Sequence, residues 1–199
     1  MKIAQQRIGL SGFTFSLFCA LFVSFPCVQA QAPAVAPTTP PAFQIHFFAQ
    51  VDYNSINQLI GMIDQQMRMG TKDFYILLSS PGGDPSAGLA AYTYLHGLPV
   101  NITTFNLGDV DSAANLIFCA GKQRYAMPGT RFLIHGASYN APPGTQLDSA
   151  GLDAQLAQIK NLNDMMENVI NSATKDRKSD IDAAIHSQKI LGRVIKLAR

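Results

Sequence analysis

The stretch Gly108–His135, GDVDSAANLIFCAGKQRYAMPGTRFLIH, decides how the rest of the chain is read. A small-residue turn, Gly108 to Ser112, presents Ser112 just ahead of an apolar run, Ala113 to Ala120, that reads as a buried helix. Lys122 to Tyr125 is basic and aromatic and leads to a turn at Pro128 and Gly129. Tyr125-Ala126 is strand-like, and Arg131 to Ile134 reads as a short β-rich run that delivers His135 at its end. A hydroxyl therefore opens one element and an imidazole closes the next strand. That pairing is the minimum for nucleophilic catalysis, in which a base lifts the proton of an otherwise weak serine hydroxyl.

Upstream, Val100 to Phe105 (VNITTF) is expected to be a strand leading into the serine turn. Before it, Lys72 to Ser79 (KDFYILLS) reads as a buried strand that runs into Ser80-Pro81-Gly82-Gly83 and then a helix, Pro85 to Leu95. Glycines at such a turn permit backbone conformations closed to other residues and leave amide N–H groups exposed. The turn is either a plain connection or an anion site at a helix N-terminus. It lacks the Walker Lys-Ser/Thr and the GxGxxG spacing, which excludes nucleotide binding. Further back, Ile56, Leu59, Ile60, Ile63 and Met67 have helical spacing over Ser55 to Met69, with Asn54 or Ser55 as cap and Gly70 as stop. Phe43 to Val51 (FQIHFFAQV) is apolar and β-prone, and His46 within it is read as a strand side chain rather than a metal ligand. Strand and helix alternating with short connections argue for an α/β fold of parallel units.

Downstream, Ala137 to Thr145 is a Pro/Gly-rich loop. Leu147 to Ala173 is a long helix whose Leu152, Leu156, Ile159, Leu162, Met165, Met166, Val169 and Ile170 form a stripe, suited to a second subunit or to its own domain. Asp180 to His186 reads as a shorter helix.

The N-terminus carries a different message. Lys2 and Arg7 precede an apolar core, Phe13 to Phe25, and Val28-Gln29-Ala30 has the small-x-small form of a signal peptidase site. The run falls short of the ~20 residues that span a bilayer, so residues 1–30 are expected to be a cleaved signal, or an N-terminal anchor where it is retained. The mature protein is then exported, periplasmic or secreted. Gln31 to Ala42 holds four prolines and no charge, an extended linker, which leaves 43–199 as the folded domain. Hydrophobic residues make up 47% and charged ones 14%, so a core is expected. Removing Lys2 and Arg7 from the 15 basic side chains leaves 13 against 13 acidic, and nothing there points to nucleic acid. Loss of Cys19 and Cys27 leaves Cys119 alone in an apolar run, read as a small buried hydrophobe. No metal or cofactor is called for.

Taken in order, Ser80-Pro81-Gly82-Gly83, the Gly108-to-Ser112 turn, Ala120-Gly121 and the Met127-Pro128 through Ile134-His135 segment resemble the Clp protease proteolytic subunit, ClpP. The likeness runs from about Phe43 to Leu191. It implies the ClpP/crotonase fold, a spiral of ββα units with a projecting handle helix, here the 147–173 segment, through which subunits form a homo-oligomer. It implies a serine endopeptidase acting on peptides or unfolded protein, with Ser112 as nucleophile, His135 as general base, and the Gly83 and Ala113 amides as oxyanion hole. Donors aimed at the developing oxyanion are typically worth ~10²–10³ in rate each.

Departures from the family carry equal weight. The family's third catalytic residue, an aspartate, falls on Ala184 when counted along an ungapped match through Ile181 and Leu191, and Asp180, Asp182 and Asp111 are out of register. Replacing an orienting acid can cost ~10⁴ in rate. The signal and linker stand where the family carries an axial loop near its ATPase, and outside the cytoplasm no unfoldase feeds a chamber, so no ATPase partner is expected. The chain closes with Gly192 to Arg199, without the family's final strand. A catalytically weak or inactive oligomeric scaffold or binding protein of this family's kind is the alternative, and an acyl-CoA enzyme of the crotonase type comes third.

Overall fold

The computed structural model describes residues 42–174, 178–187 and 190–191. The expected signal and nearly all of the linker fall outside these, as does the 192–199 segment. Its elements are β1 (Phe43–Phe47), α1 (Tyr53–Arg68), β2 (Asp73–Ser80), α2 (Pro85–Gly97), β3 (Asn101–Asp111), α3 (Ala114–Cys119), β4 (Gln123–Ala126), β5 (Arg131–Leu133), α4 (Ser149–Ala173), α5 (Lys178–Ser187) and β6 (Ile190–Leu191). The sheet runs β1-β2-β3-β5-β6, and β4 also pairs with β3. Every pairing is parallel except β5 with β6. The α/β architecture read from the alternation of elements is the one observed.

β3 is the axis of the molecule. Its first half pairs with β4, Thr103 to Asn106 against Gln123 to Ala126. Its second half pairs with β5, Asp109 to Asp111 against Arg131 to Leu133. The segment read as a turn, Gly108 to Asp111, is therefore strand, and β3 extends six residues beyond Phe105. Asn106 makes the extension possible, because its side chain spans the gap between the two partner strands. Its Nδ2 donates to Arg131 O (2.9 Å), and its Oδ1 accepts from the Gly108 amide (3.0 Å). A register shift against β2, between Leu78 and Ser80, lies beside the same stretch.

Two smaller differences concern the ends of the fold. α1 starts two residues earlier than expected, capped by Asp52, whose carboxylate accepts from Ser55 N (2.7 Å) while Ser55 Oγ accepts from Asp52 N (3.1 Å). β6 was not anticipated; it adds an antiparallel edge, with Ile190 opposite Leu133 and Leu191 opposite Phe132.

In β2, Phe74, Ile76 and Leu78 are fully buried, while the intervening Tyr75 is exposed and Leu77 half-buried. The opposite face carries Tyr75, Phe105 and Tyr125 ring to ring, at centroid separations of 5.9 and 5.2 Å. The core continues through Phe118 and Phe132, whose centroids are 4.9 Å apart. α4 divides in two. Met166, Val169, Ile170 and Ala173 pack into the core, whereas no residue of the helix before Met166 is buried, and Leu152 and Leu156 are exposed. Arg124 Nη2 donates to Ala173 O (2.7 Å), satisfying one carbonyl of the last turn that has no partner within the helix.

Candidate active site

The site is built where β3 stops. Ser112 follows the last strand residue, and α3 begins two residues later. Ser112 has φ +52°, the only non-glycine residue with positive φ among the described residues. For an L-residue this left-handed conformation crowds Cβ against the following carbonyl and costs about 1–2 kcal/mol. It persists because neighbours over-determine it. The Ser112 amide donates to Leu133 O (2.7 Å), tying the corner to the end of β5. Asn115, fully buried one turn into the apolar run, donates through Nδ2 to both Ser112 O and Leu133 O (2.9 Å each).

Against this corner lies the glycine turn. A Cβ on Gly82 (φ +82°) would stand 2.5 Å from Asp111 O, 2.7 Å from Ser112 Cβ and 3.1 Å from Ala113 N. A Cβ on Gly83 (φ +150°) would collide with Val51 O. Only glycine fits either position. Val51 clasps the turn from the other side, donating from its amide to Gly82 O and accepting from Asp84 N (2.8 Å each). Ser80 Oγ donates to Ala49 O (2.6 Å) and accepts from Gly82 N (3.2 Å). Among the described residues, the Gly83 and Ala113 amides donate to no protein acceptor. Asp84 caps α2 immediately afterwards.

His135 stands two residues past the end of β5 and is half-buried. Because Asp111 pairs with Leu133, the end of β3 and the end of β5 bring Ser112 and His135 to the same edge of the sheet. Their side chains are not hydrogen-bonded to each other. His135 Nδ1 lies 2.8 Å from Gly136 O.

Charge gathers on the same two strands. Arg131 Nε is 2.6 Å from Asp109 Oδ1, and its Nη2 is 3.4 Å from Asp111 Oδ2. Asp111 is buried, and its Oδ1 has no hydrogen-bond partner. Burial pushes its pKa above the usual carboxylate value and the charge of Asp109 adds to this, against opposition from Arg131, the Leu133 amide and His135. Burial also pushes the Cys119 thiol up to about 12, which removes it as a nucleophile and agrees with its reading as core. Among the described residues no group of three or more His, Cys, Asp or Glu could hold a metal ion.

The four residues singled out in the sequence are thus distributed over two touching turns and one strand end. Ala184 falls within α5, but its side chain lies outside the described residues. The sequence reading passed over three residues. A polar Asn115 inside ANLIFC was the available signal for a buried bridge. Arg131 and Asn163, whose Oδ1 accepts from the Ala137 amide just past His135 (2.7 Å), carried no comparable signal, since their partners are fixed only by strand register and helix placement.

The sequence profile of the Clp protease family matches residues 42–193. The chain is 35% identical over 106 residues to the ATP-dependent Clp protease proteolytic subunit 2 of Chlamydia trachomatis serovar D, covering 52% of this chain and 50% of that one. It is 31% identical over 118 residues to subunit 2 of Thermobifida fusca, covering 57% of each. It is 30% identical over 145 residues to subunit 1 of Corynebacterium efficiens, covering 71% of this chain and 68% of the relative. For the first two, the match spans only about half the relative's length. The fold is similar to that of a ClpP1 mutant from Listeria monocytogenes, with TM-score 0.62 at 16% identity over 72% of this chain and 78% of the other. With a profile match running from β1 past β6 and a fold shared with a solved ClpP, the chain belongs to the Clp protease family.

Proposed function

We infer that this chain is a serine-type peptidase in which Ser112 attacks the peptide carbonyl, His135 takes the serine proton, and the Gly83 and Ala113 amides receive the oxyanion. One observation carries the reading: Ser112 is held at φ +52° on a strand-to-helix corner, pressed against a glycine turn whose Gly83 amide, like that of Ala113, is unengaged. Backbone strain kept at a corner with free donors beside it is what acyl transfer needs, because the donors are in place before charge develops. A substrate carbonyl seated there would have its carbon before Ser112 Oγ and its oxygen before the amides. The proton would pass through His135 to the leaving amine.

The signal-like residues 1–30 support action outside the cytoplasm, on short or unfolded peptides and without an ATPase partner. The exposed Leu152 and Leu156 on the unburied half of α4 support assembly into a homo-oligomer, whose size light scattering would read. The alternative, an inactive scaffold, draws on the missing hydrogen bond between Ser112 and His135, although catalytic hydrogen bonds are often long before substrate binds.

Labelling of the mature protein, from Gln31, by a fluorophosphonate probe tests the reading, with Ser112→Ala and His135→Ala beside it. Labelling of the wild type that is lost in both variants is expected. A folded wild type that resists the probe overturns the peptidase reading in favour of the scaffold.

A further inference from the structure

Asn115 puts a carboxamide into an otherwise apolar helix, α3, every residue of which is buried. Its Oδ1 has no hydrogen-bond partner among the described residues. A buried polar atom left unpaired costs stability, so packing alone favours an apolar residue of similar size here. The reason for the amide lies at its other end. Nδ2 stands 2.9 Å from Ser112 O and 2.9 Å from Leu133 O. Carbonyl oxygens only accept, so the NH₂ end is the one that faces them.

Those two carbonyls control the corner. The Ser112 N–H donates to Leu133 O (2.7 Å), and Ser112 O accepts from both Asn115 N (3.1 Å) and Asn115 Nδ2. The peptide planes on either side of Ser112 are thereby held, and with them a left-handed conformation that an L-residue otherwise avoids. The Ser112–Ala113 peptide is trans, so its C=O and N–H point in opposite directions within one plane. A C=O drawn inward to the buried Asn115 leaves the Ala113 N–H directed away from it. That nitrogen borders the glycine turn, where a Cβ on Gly82 would stand 3.1 Å from it. Turned the other way, the same peptide would offer a carbonyl oxygen to the oxyanion and repel it.

We propose that Asn115 is a positioning residue that keeps the oxyanion hole preformed: by gripping Ser112 O from the core it holds the Ala113 N–H outward and Ser112 at its corner. Its second bond, to Leu133 O, ties that corner to the strand that ends in His135, two residues further on. The assignment rests on the peptidase reading for its effect on rate, but not for its structural content. Asn115 touches no reacting atom. It acts through the peptide that follows the nucleophile, and the unpaired Oδ1 is the stability given up for that hold.

The test compares the mature wild type with Asn115→Leu and Asn115→Ser. It reads fluorophosphonate labelling rate, urea stability, and the one-bond Cα–Hα NMR coupling of Ser112, which separates positive from negative φ. Asn115→Leu leaves each carbonyl one backbone donor, Asn115 N for Ser112 O and Ser112 N for Leu133 O, and removes the unpaired oxygen. It is expected to be as stable as the wild type, to lose the positive-φ signature, and to label about 10²-fold more slowly, the loss that follows removal of one oxyanion donor. The hydroxyl of Asn115→Ser can reach the carbonyl three residues back, so this variant is expected to restore the Ser112 signature and most of the rate. A wild type with negative φ at Ser112 overturns the proposal, even should Asn115→Leu fail to fold. So does an Asn115→Leu protein with unchanged coupling and labelling, or an Asn115→Ser protein that is no faster than Asn115→Leu. A wild type that holds positive φ, loses it in Asn115→Leu and never reacts with the probe supports the positioning assignment while refuting the peptidase reading.

Discussion

The positive φ of Ser112 has a measurable price in stability, and replacing the residue by glycine is the way to read it. A non-glycine residue in this conformation is destabilised by about 1–2 kcal/mol. Glycine relieves the crowding but gives back roughly 0.5–1 kcal/mol in unfolded-chain entropy. Comparing Ser112→Gly with Ser112→Ala isolates the difference, since both lack the hydroxyl and only alanine keeps Cβ. Ser112→Gly should be the more stable by about 0.5–1 kcal/mol. With a urea m-value near 2 kcal/mol/M that is a midpoint shift of about 0.3–0.5 M, provided m itself is unchanged. The expected gain in Tm is about 2–3 °C. Ser112→Ala should stay within ~0.5 kcal/mol of the wild type, because the Ser112 hydroxyl makes no hydrogen bond among the described residues. Both variants should be inert to the probe. Ser112→Gly equal to or less stable than Ser112→Ala would show that the corner is not strained, and the argument that stability has been exchanged for an exposed hydroxyl would fall.

Two further perturbations probe the surroundings of that corner. Gly82 and Gly129 have nearly the same φ, +82° and +85°, but a Cβ on Gly82 meets Asp111 O and Ser112 Cβ while one on Gly129 meets nothing within 4 Å. Gly129→Ala should therefore cost only the conformational term, about 1 kcal/mol. Gly82→Ala should cost at least about 2 kcal/mol more by urea unfolding, and abolish labelling, because neither backbone can retreat; equal costs would mean the two turns do not press on each other. Asp111 gives a pH signature. Its folded-state pKa is raised, chiefly by burial, so its contribution to stability is fully present below the unfolded value of about 4 and is lost as pH rises through the folded value. The stability of Asp111→Asn relative to the wild type should accordingly improve as pH rises from about 4 to neutrality. A stability of Asp111→Asn relative to the wild type that stays constant or declines over that range would show that the pairing with Arg131 outweighs burial.

The chemistry of this protein is written locally, and its geometry is not. Ser112 ahead of an apolar run, His135 at the end of a short strand and the Gly82-Gly83 turn are all legible because each is a short pattern whose residue types have few other uses. The helical spacing of Ile56, Leu59 and Ile63 was legible for the same reason, since periodicity needs no distant partner. The Gly108 to Asp111 segment was not. Its glycine and aspartates favour a turn, and only β5, some twenty residues later, supplies the ladder that makes it strand. The cap of α1 was missed by two residues because the reciprocal bonds between Asp52 and Ser55 are a matter of backbone angle. Asn115 and Asn163 are ordinary polar residues in sequence. They matter because one is buried beneath the serine corner and the other meets the peptide after the histidine across 26 residues of chain. Sequence alone determined which side chains are the candidates to react. Tertiary structure decided which backbone groups hold them, because a hydrogen bond between distant segments depends on where the whole sheet and α4 come to rest.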